Sequence, residues 1–73
     1  MQQEEAHREF VISWMEPPMT SLGWEMSVAP ANVAAKSRLE QAVSSKGSYV
    51  LRHAPSKEAG LANARAFIDS MYS

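Results

Sequence analysis

The sequence predicts an α+β fold in which three strands and two helices follow in the order β-β-α-β-α. Two observations lead to this prediction. In three short segments apolar residues alternate with other residues, which is typical of strands that bury one face. In two longer segments apolar residues recur every three or four positions, which is typical of amphipathic helices. We therefore expect a three-stranded mixed sheet with both helices packed on one of its faces.

The size and composition of the chain are those of one globular domain. Its 73 residues are 45% hydrophobic and 21% charged, include no cysteine and carry a net charge of −1. No apolar run approaches the ~18 residues that a membrane-spanning helix needs. The polar, acidic N-terminal segment is also unlike a signal peptide. We expect a cytoplasmic protein with a flexible tail at residues 1–8 and a single α+β domain at residues 9–73.

Residues 9–15 and 24–29 are predicted to be the first two strands. Both segments combine alternation with aromatic and β-branched side chains. Pro17, Pro18 and Gly23 lie between them and are typical of a loop. We expect an antiparallel hairpin whose inward side chains are Phe10, Ile12, Trp14, Trp24, Met26 and Val28.

Residues 32–45 are predicted to form the first helix, with Asn32 as its N-cap. Gly47 is expected to take the left-handed conformation that ends this helix. A second interpretation makes residues 31–47 mostly irregular. The side chains expected to face the sheet are Ala35, Leu39, Ala42 and Val43.

Residues 48–54 are predicted to form the third strand. Connections of the strand–helix–strand type nearly always join parallel strands, so we expect the second and third strands to be parallel or nearly adjacent. Alternation along the strand places three side chains on one side of it, namely Tyr49, Leu51 and His53.

The final helix is predicted over residues 56–72 by the clearest periodicity in the chain. Ser56 is a suitable N-cap, and Glu58 lies in the first turn, where the helix dipole favours a carboxylate. The stripe predicted to face the sheet contains Leu61, Ala64, Ile68 and Met71.

The segment 49–71 resembles the closing strand and helix of small bacterial and phage α+β modules, HicB-type antitoxins among them. The resemblance lies in a strand, the sequence Ser-Lys-Glu-Ala, and then Ala62, Ala64 and Ala66 at close spacing. It covers about a third of the chain and implies no functional residue.

The sequence lacks the residue spacings of catalytic and metal sites. His7 and His53 are far apart, whereas structural zinc takes four ligands at short spacings. No serine lies in a Gly-x-Ser-x-Gly motif. The run Ser-Ser-Lys-Gly also lacks the pattern of a phosphate-binding loop. We therefore predict a protein that is not an enzyme and has no metal or cofactor.

Exposed apolar and aromatic residues in the hairpin predict a protein-binding surface. Large amphipathic side chains beside an apolar loop are typical interface anchors, although both tryptophans could instead belong to the core. We expect a regulator, adaptor or inhibitor that binds another protein or a second copy. One version is a phage or mobile-element inhibitor whose acidic hairpin blocks a nucleic-acid machine. The predicted protein-binding residues are Trp14, Glu16, Met19, Leu22, Trp24 and Glu25.

The basic middle of the chain supports an alternative function, binding of nucleic acid. If its side chains shared one face, they could neutralise several phosphates. The sequence shows no known nucleic-acid-binding motif, and solvated faces of a helix and a strand explain the same charges. The residues of this alternative are Lys36, Arg38, Lys46, Arg52 and Lys57.

Overall fold

A computed structural model describes residues 2–16, 23–44 and 47–72 of the chain. It shows an α+β fold with two helices, as predicted, but the sheet has four strands, all antiparallel, in the spatial order β1-β2-β3-β4. The elements are β1 (Gln2–His7), β2 (Phe10–Met15), β3 (Trp24–Pro30), α1 (Val33–Val43), β4 (Tyr49–Ala54) and α2 (Lys57–Ser70).

The first strand corrects the prediction of a flexible tail at residues 1–8. Residues Gln2–His7 form β1, which pairs with β2 along its whole length. The strand lacks apolar alternation because its helix-facing side chains, Gln3, Glu5 and His7, are polar and lie opposite the buried residues of β2. Glu5 and His7 contact Arg65 and Asp69 of α2. A two-residue turn connects the strands, and Arg8 adopts a φ of 55° there, a conformation that two-residue hairpin turns commonly require.

The second and third predicted strands, β3 and β4, are adjacent in the sheet, but their expected parallel pairing is wrong because they run antiparallel. Val28, near the end of β3, lies opposite Tyr49 at the start of β4. The chain therefore leaves and re-enters the sheet at the same end. α1, which lies between these two strands in the chain, has 11 residues.

A β-bulge near the end of β4 corrects the predicted orientation of His53. Trp24 lies opposite Ala54 and Met26 lies opposite Leu51, so β4 contains one extra residue at this point. His53 has a φ of 67° and is exposed, whereas Ala54 turns into the core. Alternation along the sequence fails here because a bulge reverses the side of every residue that follows it.

Both predicted N-caps are confirmed. The Asn32 side chain accepts a hydrogen bond from the Ala35 N–H at 2.8 Å, and Ser56 Oγ accepts from the Ala59 N–H at 3.1 Å. α1 ends earlier than predicted: Ser44 takes the left-handed position that closes the helix, with a φ of 55°, and Gly47, whose φ is 89°, lies further along the chain. The last turn also leaves Ala42 exposed.

One hydrophobic core fills the space between the sheet and the two helices. β2 and β3 supply one side of it, and α1 and α2 supply the other. Gly60 lets α2 approach the sheet closely, because a Cβ atom at this position would overlap the side chain of Met26. The core residues are Phe10, Ile12, Trp14, Met26, Val28, Ala35, Leu39, Leu61, Ala64 and Ile68.

Candidate protein-binding site

The two tryptophans lie together on the helix-facing side of the sheet, at the end where β2 finishes and β3 begins. Trp14 lies opposite Met26, and Trp24 precedes Met26 by two residues, so the indoles are diagonal neighbours on adjacent strands. Trp14 belongs to the core and is 8% exposed, whereas Trp24 is half-buried. Only Trp24 therefore retains substantial indole surface for contact with another molecule.

An open cleft of about 200 Å³ lies beside these indoles. We call it the tryptophan cleft, and the described residues that line it are Gln3, Trp14, Glu16, Trp24 and Lys57. They come from β1, β2, the residue after β2, β3 and the first turn of α2. The cleft thus combines two indoles with an amide, a carboxylate and an ammonium group.

The size of the tryptophan cleft limits what it can bind. Pockets for small molecules typically measure about 300–1,000 Å³, and this cleft is smaller and open to solvent. A single side chain that projects from a larger partner fits such a site better than an enclosed metabolite does. The indole surfaces would contact the apolar part of that side chain, and the polar groups at the rim would contact its ends.

The structure brings together only some of the predicted protein-binding residues. Trp14, Glu16 and Trp24 meet in the tryptophan cleft. Glu25 lies on the opposite, helix-free face of the sheet, where Arg52 approaches it to 3.6 Å. Met19 and Leu22 lie outside the described residues. Sequence reasoning missed Gln3 and assigned Lys57 only to the nucleic-acid alternative; the fold brings both to the cleft from segments distant in the chain.

The basic residues of the nucleic-acid alternative are spread over different surfaces. Arg52 lies on the helix-free face, whereas Lys36 and Arg38 belong to α1 and Lys57 to α2. Lys46 lies outside the described residues. The described side chains therefore do not form one continuous basic face.

A second group of polar and aromatic side chains lies at the opposite end of the sheet, around Tyr72. The Arg8 and Arg38 guanidinium groups lie 4.7 and 4.3 Å from the centre of the Tyr72 ring. Arg38 Nη1 also donates to the Met71 carbonyl at 2.8 Å. We call this group the tyrosine cluster, and its residues are His7, Arg8, Glu9, Arg38, Asp69 and Tyr72.

Internal contacts satisfy the carboxylates of the tyrosine cluster. Arg8 Nε donates to Asp69 Oδ1 at 2.7 Å, and His7 Nε2 lies 2.8 Å from the same oxygen. Arg8 first, and then His7, hold the pKa of Asp69 below its ordinary value of 3.8. The Tyr72 hydroxyl donates to Glu9 at 3.1 Å. The cluster thus joins the β1–β2 turn to the end of α2.

The acidic residues of the first third differ in how they are paired. Glu5 accepts two hydrogen bonds from Arg65, one of them from Nε at 2.8 Å. Glu9 and Glu25 have the partners described above. Glu4 and Glu16 are exposed and form no ion pair with any residue that the structure describes. Within the first third, the unpaired carboxylates of the described residues are therefore those of Glu4 on β1 and Glu16 at the tryptophan cleft.

The described residues contain no group of three or more His, Cys, Asp or Glu side chains placed to hold a metal ion. Neither α1 nor α2 is long and apolar enough to cross a membrane. Among residues 3–16, 23–44 and 47–72, no polar or charged residue is buried.

The chain matches no protein-family model, no curated protein and no solved structure.

Proposed function

We propose that the protein is a non-enzymatic interaction module that acts by occupancy and receives a side chain of another protein in the tryptophan cleft. The observation that supports this proposal is the meeting of Trp14, Trp24, Glu16 and Lys57 around one open concavity. Tryptophan contributes more to protein interfaces than most residues do, because its large ring buries much apolar area and its N–H can still bond.

The difference in burial between the two indoles suits a docking site. Trp14 is fixed by the core and provides a rigid wall, while the half-buried Trp24 has surface left to bury. The side chains of Gln3, Glu16 and Lys57 form no hydrogen bond or ion pair with other described residues. They are therefore available to a partner at the rim, where polar groups fix orientation.

The module could serve as a regulator, an adaptor or an inhibitor. The version in which an acidic hairpin imitates nucleic acid has less support, because Glu5, Glu9 and Glu25 already bind side chains of this chain. A charge mimic needs its carboxylates free to meet a basic groove. We therefore place the interaction at the tryptophan cleft.

Selection of peptides on the purified protein tests this proposal without knowledge of the natural partner. Random dodecapeptides displayed on phage are selected on the wild type, and the tightest peptide is synthesised and titrated. Because the indole of Trp24 is more accessible than that of Trp14, Trp24→Ala should weaken binding by about tenfold or more. Lys57→Glu at the rim should change the affinity without disturbing the core.

Val33→Ala is the matched control for an apolar truncation. Val33 is 83% exposed and lies at the start of α1, far from the tryptophan cleft in the fold. Its truncation should leave the affinity unchanged within about twofold. If the selected peptides bind Trp24→Ala as tightly as the wild type, the tryptophan cleft is not the binding site and the proposal is wrong.

The nucleic-acid alternative remains a prediction with a direct test. A mobility shift at ~50 mM salt that weakens steeply as salt rises would support it, because phosphate contacts release counterions. The absence of a shift at that salt concentration would end it.

A further inference from the structure

We infer that the partner presents an extended, basic segment that pairs with β1 as a fifth strand and places one side chain in the tryptophan cleft. This inference rests on the proposed function and specifies the conformation and charge of the partner. Addition of a strand to a sheet edge is a common mode of peptide recognition, in which backbone bonds give affinity and pockets for alternate side chains give specificity.

The β1 strand is a regular edge. It lies at one side of the sheet and pairs with β2 over six consecutive residues without a register shift. The other edge, β4, is interrupted by the bulge at His53, which adopts a positive φ. Bulges of this kind protect an edge from further pairing. Of the two edges, β1 is therefore the better template.

The hydrogen-bond pattern identifies the β1 residues that are open to an added strand. The Ala31 N–H donates to the Glu9 carbonyl at 2.9 Å, so the odd-numbered residues of β2 turn their backbone groups toward β3. The even-numbered residues of β2 then bond to the residues opposite them on β1. Residues 2, 4 and 6 of β1 consequently direct their N–H and C=O groups away from β2.

The charge of β1 selects a basic partner over a second copy. Glu5 is neutralised by Arg65, but Glu4 is exposed and has no ion pair with the described residues. In a two-fold antiparallel pairing of β1 with itself, centred on the outward-facing Glu4, each Glu4 would face the other directly. Like charges in that position are destabilising. A lysine or arginine opposite Glu4 would instead form a favourable pair.

The added strand would also reach the tryptophan cleft. Gln3 lines the cleft and its side chain is on the helix-facing side of β1. A partner residue opposite Gln3 would lie about 4.8 Å away on the same side of the enlarged sheet. A long side chain at that position could extend over Gln3 toward the indoles. The edge and the cleft would thus act as one continuous site.

The selected peptide described above provides the probe for this inference. Ala6→Pro removes an N–H that points away from β2, so it should spare the internal ladder and weaken binding by about tenfold. Ala6→Val keeps the N–H and serves as its control. Circular dichroism and thermal melting check the fold of each variant.

Glu4→Lys should also weaken binding, because it adds a positive charge that repels a basic peptide. This loss of affinity should be larger at low salt than at high salt.

N-methylation of the peptide gives a test that does not depend on folding of a variant. In an added strand only alternate peptide amides bond to β1, so methyl groups on one alternate set should abolish binding and those on the other set should have little effect. Equal tolerance of both sets, or unchanged binding to Ala6→Pro, would overturn the inference.

The outcomes separate the two proposals. If Trp24→Ala weakens binding while Ala6→Pro and both methylated sets do not, the tryptophan cleft is retained and strand addition is wrong. If Trp24→Ala has no effect, or the library yields no binder, both proposals fail. A dimer in sedimentation experiments that Ala6→Pro dissociates would identify a second copy as the occupant and overturn the inference of a basic partner.

Discussion

The two ends of the helix-facing side of the sheet use similar side chains for different purposes. At one end, Tyr72 lies between the guanidinium groups of Arg8 and Arg38, and its hydroxyl binds Glu9. At the other end, Trp24 lies beside an open cleft whose polar side chains bind no other described residue. Aromatic and charged groups that contact each other stabilise the fold, whereas the same groups left apart are available for binding.

This comparison predicts that the tyrosine cluster matters chiefly for stability. Tyr72→Ala should lower the free energy of unfolding by about 2–3 kcal/mol, because it removes the ring that Phe10 and two arginines contact. Tyr72→Phe removes only the hydroxyl and should lower it by about 1 kcal/mol. Urea denaturation measures both effects. Equal stability of the wild type and Tyr72→Ala would contradict a stabilising role for the tyrosine cluster.

Arg38 offers a smaller test on the same cluster. Arg38→Ala loses a contact with the Tyr72 ring and a hydrogen bond to the Met71 carbonyl, so it should lower the free energy of unfolding by about 1 kcal/mol. Lys36→Ala on the same helix is the matched control, because Lys36 is exposed and has no such contact; it should stay within about 0.5 kcal/mol. Indistinguishable denaturation curves for the two variants would show that these contacts of Arg38 contribute nothing to the free energy of unfolding.

The acid sensitivity of the fold gives the smallest predicted effect. The pKa of Asp69 is lower in the folded protein than its ordinary value of 3.8, because Arg8 and His7 favour the carboxylate. Its contribution to stability is therefore present above about pH 4 and is lost as the pH falls through the lowered pKa. Asp69→Asn should be less stable than the wild type near neutral pH.

The same variant supplies the control for this pH dependence. The difference in stability between the wild type and Asp69→Asn should narrow as the pH is lowered from about 6 to about 3. Thermal melts across this range measure it. A difference in stability that is constant with pH would show that the charge of Asp69 does not contribute to stability.

Periodicity in the sequence identified the elements that bury an apolar face. Phe10, Ile12 and Trp14 alternate on β2 as expected, and Leu61, Ala64 and Ile68 form the buried stripe of α2. These elements could be predicted because burial imposes a period that local residues reveal. The N-caps could be predicted for a similar reason, since their hydrogen bonds reach only three residues along the chain.

The sequence could not reveal features that depend on distant contacts. β1 carries no apolar alternation, because Glu5 and His7 face Arg65 and Asp69 on α2 rather than core residues. The bulge at His53 depends on how β4 fits against β3. Both features are set by partners that lie far along the chain, and no local pattern encodes them.

The sequence predicted only part of the candidate site, because distant contacts bring some of its residues together. Trp14 and Trp24 could be placed together because a hairpin joins their strands, and Glu16 follows the first of these strands directly. Gln3 and Lys57 reach the cleft only through the pairing of β1 and the docking of α2. The separation of Glu25 from these residues followed from strand alternation, which places it on the opposite face from Trp24.

Two-dimensional NMR of the ¹⁵N-labelled protein during titration with the selected peptide tests the central claim most directly. The indole N–H signals of Trp14 and Trp24 and the backbone signals around the tryptophan cleft should shift together as the peptide binds. The signals of the tyrosine cluster should stay in place. Shifts confined to the tyrosine cluster or to the helix-free face, with both indole signals unchanged, would contradict the assignment of the open end as the binding site.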